Sequence, residues 1–379
     1  MALVLNEEQT MLRDAAKDFL NARAPLSHLR QLRDDDVAEG FSTELWAEMV
    51  EMGWAAIIIP EAHGGLEYGY TGLGLVLEET GRTLTPSPLL STALLGTSAL
   101  ILSGNEDICA QWLPQIAAGE KLLAIAFEES AHHRPATVNC RAEPEDNGYV
   151  LNGSKFAVMD GHVADAFIVS ARTRSGENLS EGVSLFLVAN DTPGLRIETS
   201  ELLDNHRNCV IHLEGVSVDR SRLIGPLHGG FPILQKALDR GRIGMAAEML
   251  GIAQETFERT MQYLKERKQF GVPIGVFQAL QHRAASLFGE IELCKSVVLK
   301  ALQAIDEDSD EVPILASLAK AKCGQTASLA TAEGIQMHGG IGMTDEFDIG
   351  FFMKRWRTLN QQLGDHRYHL DRFATLKGY

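Results

Sequence analysis

The spacing of apolar residues along the chain changes twice. In residues 1–118 apolar side chains recur every three or four positions, for example at 11, 15, 19 and 20, which is the period of an amphipathic helix. Between about 121 and 225 the apolar runs are short, rich in β-branched residues and bounded by turn residues, a pattern that favours strands. After the segment "GPLHGGF" the helical spacing returns. The pattern predicts an α+β fold with a helical domain at 1–118, a β domain at 119–226 and a helical bundle domain at 227–379.

Shorter signals refine these predictions. Ser42 or Thr43 stands ahead of an amphipathic run and is a candidate helix N-cap. The pair Asn152–Gly153, between two apolar runs, predicts a hairpin turn. Residues 314–338 are crowded with alanine, which lets helices approach closely. One stripe within 281–305 has the spacing of the buried face of a bundle helix, and its members are Leu287, Ile291, Cys294, Val298 and Leu302.

Composition narrows the class of protein. With 45% hydrophobic and 22% charged residues over 379 positions, the chain is typical of a soluble globular protein with two or three packed units. It has no run of about 18 apolar residues, and its N-terminus reads as a helix rather than a signal peptide. The formal net charge of −17 argues against a nucleic-acid partner and against an anionic membrane. Five scattered cysteines without a CxxC pair favour reduced, buried thiols, so we expect a cytoplasmic protein.

Two stretches of the helical bundle domain carry more chemistry than a core needs. The segment "ERKQFGVPIGVFQALQHR" ends one helix and starts another, and it places Arg267, Gln269 and Gln278 around two phenylalanines. The segment "GIQMHGGIGMTDEF" ends a helix in paired glycines, which let another group approach the backbone closely. An arginine, several amides and accessible backbone N–H groups are what a pyrophosphate needs. We therefore expect these segments to bind a ligand that contains a pyrophosphate.

With these motifs the sequence resembles the acyl-CoA dehydrogenase family over its whole length. The family pattern R-x-Q-F-G-x-P-I-x-x-F-Q is matched from Arg267 to Gln278, and the pattern Q-x-x-G-G-x-G from Gln336 to Gly342. The resemblance implies an N-terminal helical domain, a middle β-barrel-like domain and a C-terminal four-helix bundle. It also implies tetramers, FAD bound across a subunit interface, an acyl-CoA substrate and electron-transfer flavoprotein as the electron acceptor.

The resemblance also assigns cofactor contacts residue by residue. In the family these motifs serve the FAD of the neighbouring subunit, so Arg267 is expected to pair with its pyrophosphate. The other expected contacts with the dinucleotide are Gln269, Phe270, Ile274, Phe277, Gln278, Gln336 and Gly340.

The family reaction removes a proton from the α-carbon of the thioester while a hydride leaves the β-carbon for the flavin. It needs a carboxylate base of raised pKa and donors for the enolate oxygen. Family members carry this base as Glu in a "YEGT"-like loop, which corresponds here to "QLGD", with Leu363 at the base position. A smaller branch carries it just before an arginine that corresponds to Arg242, where this chain has Gly241. Neither position holds a carboxylate.

Two carboxylates remain as candidates for a relocated base. Asp365 is two residues from the empty base position, and Glu248 shares a helix face with the second base position, about 10 Å further along. For each, a helix cap or an ion pair is the competing interpretation. Arg242 is a candidate for substrate binding. His366 and His369 form an i, i+3 pair without a further ligand cluster in the sequence, so we predict no metal site.

The β domain departs from the family pattern as well. The T-E-P-x-x-G-S-D segment, which lies against flavin and substrate in the family, is replaced by "FEESAHHRPATV". The W-I-T-N-G turn that contacts the flavin ring is "AVMDG", with Ala157 in place of tryptophan and Met159 in place of threonine. The motifs for a neighbour's FAD are therefore intact, whereas those for the chain's own flavin ring and chemistry are altered.

This asymmetry resembles the small subunits of bacterial acyl-CoA dehydrogenases that work as α2β2 heterotetramers, pimeloyl-CoA dehydrogenase among them. In these assemblies a related large chain brings the glutamate and the flavin-ring pocket, and the substrates include dicarboxylyl, steroid side-chain and branched acyl-CoAs. The resemblance thus predicts a companion subunit paired with a paralogous chain. Two alternatives stay open: a homotetrameric dehydrogenase with a relocated base, and a catalytically silent scaffold that binds no nucleotide.

Overall fold

The structure is a computed structural model that describes residues 3–379. The α-helices are α1 Glu7–Arg23, α2 Leu26–Asp34, α3 Thr43–Glu51, α4 Tyr70–Thr83, α5 Thr97–Ser103, α6 Glu106–Ala117, α7 Gly230–Glu266, α8 Gln278–Asp306, α9 Val312–His338, α10 Ile349–Gln361 and α11 His366–Lys377. The strands are β1 Leu123–Ala126, β2 Arg141–Glu145, β3 Gly148–Met159, β4 Ala166–Arg172, β5 Val183–Ala189, β6 Leu195–Glu201, β7 Arg207–Asp219, β8 Leu223–Ile224, β9 Lys268–Gln269 and β10 Val272–Pro273. The predicted order of helices, strands and helices is confirmed.

The chain divides into two compact units. The first contains the segments through Asp35, Tyr70–Pro86 and Arg242–Tyr379, and the second contains Asp36–Gly69 and Ser87–Gly241. The helices of the predicted N-terminal domain are therefore shared between the two units. The predicted domain boundaries are not tested by this division and stay predictions.

Helix N-caps explain where the first helices begin. Ser42 is the N-cap of α3, since its side chain accepts a hydrogen bond from the Leu45 backbone N–H, and Thr43 is the first helical residue. Asn6 and Gln9 form a capping box at the start of α1. In both helices a polar side chain replaces the missing intrahelical partner.

In the first unit the helices pack through an apolar stripe and through glycines. All five residues of the α8 stripe are at most 4% exposed, as predicted. Gly81 of α4 and Gly251 of α7 lie where the two helix backbones touch. A Cβ at Gly81 would lie 2.1 Å from the carbonyl oxygen of Glu248, and a Cβ at Gly251 would lie 1.8 Å from that of Glu78. Glycine is required at both positions because a side chain would overlap backbone atoms.

The second unit is built on one eight-stranded sheet. Its strand order is β6-β7-β3-β2-β4-β5-β8, and β1 pairs with β4 in parallel. The pairs β3 with β7, β4 with β5 and β6 with β7 are antiparallel. Strands β4 and β5 are each buried over six consecutive residues, as expected for strands covered on both faces. The side chains of the sheet form one apolar cluster that includes Tyr149, Phe167 and Phe186.

The predicted hairpin turn at Asn152–Gly153 is wrong. Both residues lie inside the twelve-residue strand β3, where the pairing with β7 shifts register. Gly153 has a φ of 152°, and a Cβ there would lie 2.8 Å from the backbone of Cys140. The glycine therefore marks a β-bulge within a continuous strand rather than a turn between two strands.

Candidate functional site

The first motif forms a small hairpin at the end of α7. Strands β9 and β10 are antiparallel, and Phe270 and Gly271 form the tip between them. The φ of Phe270 is 54° and that of Gly271 is 82°. The Phe270 side chain is 91% exposed, and its ring meets the edge of Phe277 at a centroid distance of 6.2 Å. A large aromatic residue that is both exposed and in the left-handed region indicates a functional constraint rather than packing.

An aromatic cluster joins this hairpin to the second motif. Tyr263, one turn before Arg267, stacks on His338 with a centroid distance of 4.3 Å and donates a hydrogen bond from its hydroxyl to the His338 carbonyl. Phe347 contacts both rings. Burial lowers the pKa of His338, whose Nδ1 lies 2.6 Å from the Gly334 carbonyl. The cluster holds the end of α9, with its paired glycines, beside the end of α7.

The donors of the two motifs are open to a ligand. The Arg267 guanidinium is exposed and has no hydrogen bond or ion pair to another residue of the range 3–379. Gly339 and Gly340 are exposed, and a Cβ built on either would meet no atom within 4 Å. Gln278 is the first residue of α8, at a helix end whose first N–H groups lack intrahelical partners. Uncommitted donors of this kind beside exposed aromatic rings suit a dinucleotide with a pyrophosphate, so the residues present fit FAD.

The other residues expected to contact FAD lie on the same elements. Gln269 is exposed in β9, with its Nε2 donating to the Lys268 carbonyl at 2.9 Å. Ile274 is half-buried directly after β10, and Gln336 is exposed near the end of α9. The fold thus gathers both motifs at one end of the first unit, while the contact that each residue makes with the cofactor stays a prediction.

The loop after α10 contains the position that corresponds to the family base. Leu363 is 6% exposed and has a φ of 57°, and Gly364 follows with a φ of 103°. The Leu363 carbonyl accepts hydrogen bonds from Arg242 Nε at 3.2 Å and from His369 Nε2 at 3.1 Å. The loop therefore turns through two consecutive left-handed residues and is fixed by side chains of α7 and α11.

Arg242 has a structural task in this arrangement. It is completely buried, and its guanidinium lies 3.5 Å from the Tyr368 hydroxyl as well as on the Leu363 carbonyl. The guanidinium also lies 5.7 Å from the centroid of the Tyr368 ring. These contacts favour a role in holding the loop, and the predicted role in substrate binding stays untested.

Both carboxylates considered as relocated bases have structural partners. Glu248 is 4% exposed, and its Oε1 lies 2.6 Å from Arg355 Nε in a buried ion pair. Asp365 is the N-cap of α11, where its Oδ1 accepts a hydrogen bond from the Tyr368 backbone at 2.9 Å. The geometry favours the ion pair and the helix cap over a base at either position. Arg355 was not found from the sequence because it lies 107 residues from its partner.

Sequence reasoning also missed Lys320, a buried residue of α9. Its Nζ donates to the carbonyls of Leu359, Asn360 and Gly364 at 2.9, 3.4 and 3.0 Å. Burial, together with the charge of Arg242, lowers the pKa of Lys320 to about 7. A lysine within the alanine-rich stretch was the available sequence signal.

In the second unit, internal ion pairs fix the altered segments of the β domain. The Nζ of the fully buried Lys155 lies 2.7 Å from Glu129 Oε1, and Glu128 pairs with His133. Ala157 is exposed and has a φ of 50°. Where the family pattern has tryptophan, the chain therefore presents a methyl group at a strained irregularity of β3, where its pairing with β7 shifts register.

Metal-ligating side chains are dispersed. Residues 3–379 contain no group of three or more His, Cys, Asp or Glu side chains placed to hold a metal ion. His366 and His369 instead contact the backbone carbonyls of Ala321 and Leu363. All five cysteines are buried and free of disulfides, as predicted. Over the same range, every helix is too short or too polar to span a lipid bilayer.

Comparison with known proteins places this fold and motif set in one family. Models of the acyl-CoA dehydrogenase N-terminal, middle and C-terminal domains match residues 6–120, 128–216 and 228–375. Mitochondrial isovaleryl-CoA dehydrogenase of Pongo abelii is 30% identical over 364 residues, which cover 92% of this chain and 84% of that protein.

Solved structures agree with this match. A chain in the structure described as "Electron transferring flavoprotein of Acidaminococcus fermentans" is 27% identical, with a TM-score of 0.92 and 100% of both chains covered. A variant of "Tcur3481-Tcur3483 steroid ACAD" is 30% identical, with a TM-score of 0.86 and 98% of both chains covered.

The chain belongs to the acyl-CoA dehydrogenase family. Members of this family are flavoprotein oxidoreductases that use FAD to dehydrogenate an acyl-CoA, and the cofactor and the enzyme class follow for this chain at that level. The expected arrangement of an N-terminal helical, a middle sheet and a C-terminal helical domain is confirmed.

Proposed function

We propose that the chain is the companion subunit of an α2β2 acyl-CoA dehydrogenase and supplies FAD contacts to a paralogous chain. The observation that carries the proposal is an asymmetry within the first unit. Arg267 and Phe270 are exposed and available, whereas the base position holds the buried Leu363. Such a chain offers part of a cofactor site to a neighbour and has no carboxylate at the position of its own base.

The exposed motifs fit the pyrophosphate and adenosine half of the cofactor. Arg267 would pair with the pyrophosphate, and the N–H groups of Gly339 and Gly340 would donate to its oxygens. Phe270 and Phe277 would cover the adenosine half. The bound flavin supplies the hydride acceptor, and the residues of this chain bind and orient it.

The conformation of Phe270 supports an occupant for this surface. A left-handed φ costs a residue other than glycine about 1–2 kcal/mol. Covering an exposed phenylalanine side chain stabilises by about 1.5–3 kcal/mol. The isolated chain bears the strain at Phe270 while its ring stays 91% exposed. A bound neighbour with its cofactor would provide the missing burial.

The contacts of the first unit count against both alternatives. A base at Glu248 would have to leave a buried ion pair with Arg355, which costs several kcal/mol, and a base at Asp365 would have to leave the N-cap of α11. The silent scaffold gives no reason for the exposed guanidinium of Arg267 beside two exposed glycines. The companion role accounts for all of these features.

We infer an acyl-CoA as the substrate and an electron-transfer flavoprotein as the electron acceptor. One solved structure at 30% identity is described as a variant of "Tcur3481-Tcur3483 steroid ACAD", words that name a steroid and join two designations. Acyl-CoAs with a steroid side chain are therefore the first bulky substrates to test. The relative with a TM-score of 0.92 comes from a structure described as an electron transferring flavoprotein, which supports this acceptor.

Co-expression with an acyl-CoA dehydrogenase paralogue encoded in the same genome tests the proposal. We expect the lone chain to hold little FAD and to show no turnover, and the pair to form a heterotetramer that contains FAD and dehydrogenates an acyl-CoA. Arg267→Ala should lower the FAD content of the complex, whereas Arg220→Ala, at an exposed position of the second unit, is the matched control. Full flavin content and turnover from the lone chain would contradict the companion role.

A further inference from the structure

The last carbonyl groups of α10 accept hydrogen bonds from a buried side chain of the protein. The last carbonyls of an α-helix lack intrahelical partners, and this helix end carries partial negative charge. In α10 the carbonyls of Leu359 and Asn360 both accept hydrogen bonds from the Nζ of Lys320. Lys320 also reaches the carbonyl of Gly364, just before the N-cap of α11. One amine therefore joins both ends of the loop between these helices.

The number of these bonds depends on protonation. A lysine ammonium has three N–H donors, whereas a neutral amine has two, so the charged form alone can donate to all three carbonyls at once. The charged form also makes stronger hydrogen bonds and interacts favourably with a helix C-terminus. The loop is thus held most firmly when Lys320 carries its proton.

The surroundings of Lys320 act on its charge in opposite directions. Burial of Lys320, at 1% exposure, and the guanidinium of Arg242 on α7 disfavour the proton, whereas the carboxylate of Asp365 favours it. The nearby Cys323 thiol has a raised pKa and stays uncharged near neutral pH. His369 of α11 bonds to the same loop. The balance brings the pKa of Lys320 to about 7, so both protonation states are populated near neutral pH.

We propose that Lys320 is a proton-dependent clasp for the loop Leu359–Gly364: the charged amine holds the loop closed, and loss of its proton loosens it. The clasp involves residues of this chain alone and does not depend on the companion role. Leu363, at the family's base position, lies within the clasped loop. The order of that position therefore changes across neutral pH.

Hydrogen exchange measured by mass spectrometry on the full chain, with any bound flavin, tests the clasp. The readout is the protection of a peptide that covers Leu359–Gly364, corrected for the intrinsic pH dependence of exchange, between about pH 5.5 and about pH 8.5. We expect protection to fall roughly tenfold as pH rises, the effect of losing one hydrogen bond from a charged donor. The midpoint should lie near pH 7. Protection that stays constant over this range overturns the proposal.

Three variants separate Lys320 from its neighbours. Lys320→Arg keeps a permanent charge, so the peptide should stay protected at both ends of the pH range. Lys322→Met is the matched control and should keep the wild-type transition. It removes a half-buried lysine of α9, the helix of Lys320, whose partner Glu290 lies on α8. His369→Gln should also keep the pH-dependent change in protection. If that change disappears in this variant, the histidine causes it and the proposal is overturned. If Lys320→Arg does not fold, the midpoint of the wild-type transition and the behaviour of the two other variants still test whether Lys320 controls the loop.

Discussion

Glu79 of α4 is a buried acid in a crowded charge network. Its residue is 5% exposed, and its Oε2 lies 3.6 Å from Arg82 Nε. The same guanidinium also binds Glu255 and Glu258, so its charge is shared among several carboxylates. Burial, opposed by Arg82 and reinforced by the neighbouring Glu78, raises the pKa of Glu79 from 4.5 to about 7.

A pKa that is raised in the folded state gives stability a defined dependence on pH. The folded protein holds this proton more tightly than the unfolded chain does. The stabilisation from this group is therefore complete below about pH 4.5 and is lost as pH rises through about 7. At 1.36 kcal/mol for each pH unit, the difference between the two pKa values corresponds to about 3 kcal/mol.

Glu79→Gln removes this titration with little change in shape. At pH 8 we expect the free energy of unfolding of the variant to exceed that of the wild type by up to about 3 kcal/mol, because the amide carries no charge into the core. At pH 5 the excess should fall below about 1 kcal/mol, since the folded wild-type carboxyl is then protonated and only the unfolded chain gains from its ionisation. Urea denaturation followed by circular dichroism at pH 5, 6.5 and 8 measures the difference.

The matched control for this experiment is Glu258→Gln. The Glu258 side chain is 58% exposed, so its loss should change stability by no more than about 1 kcal/mol at any of these pH values. A stability difference between Glu79→Gln and the wild type that stays constant from pH 5 to pH 8 would refute the burial argument.

Three other substitutions each test one local feature of the structure, namely a strained backbone angle, a close helix contact and a buried ion pair. Ala157→Gly should raise stability by about 0.5–1 kcal/mol because the φ of 50° strains alanine but not glycine, and a lower melting temperature would contradict this. Gly251→Ala should leave little soluble protein because its Cβ would lie 1.8 Å from a backbone carbonyl oxygen of α4. Its control is Gly289→Ala, whose Cβ would meet no atom within 4 Å and which should express normally. Glu248→Gln removes the carboxylate from the buried contact with Arg355 and should cost about 3 kcal/mol in urea denaturation; a cost below about 1 kcal/mol would disagree with a buried ion pair.

Local periodicity predicted the elements well because a buried helix face leaves a regular trace in the sequence. The α8 stripe and the N-cap at Ser42 both depend on residues close together in the chain. The hairpin turn predicted at Asn152–Gly153 was wrong because the conformation there depends on residues far apart in the chain. The same two residues suit a tight turn and a β-bulge, and the pairing of β3 with the distant strand β7 decides between them.

For the candidate site, too, features formed by contiguous residues could be predicted from the sequence, and contacts between distant residues could not. The segment from Arg267 to Gln278 is continuous, so its resemblance to a family motif is visible in the sequence. The partners of Glu248 and Lys320 could not be identified from the sequence, because the groups that surround them belong to a helix and a loop far along the chain. Their roles depend on how the helices pack, and a charged residue in an apolar helical period was the one warning in the sequence.

A free copy of this chain carries a bare aromatic tip at Phe270, on a two-stranded hairpin. Exposed apolar groups of this kind promote self-association and attract the chaperones that survey newly made proteins. Under the proposed companion role, a cell that makes the chain without its neighbour would then lose it to aggregation or degradation. Matched synthesis of the two chains would thus become a condition for the enzyme to accumulate, and the hairpin would act as a check on whether each copy has been assembled.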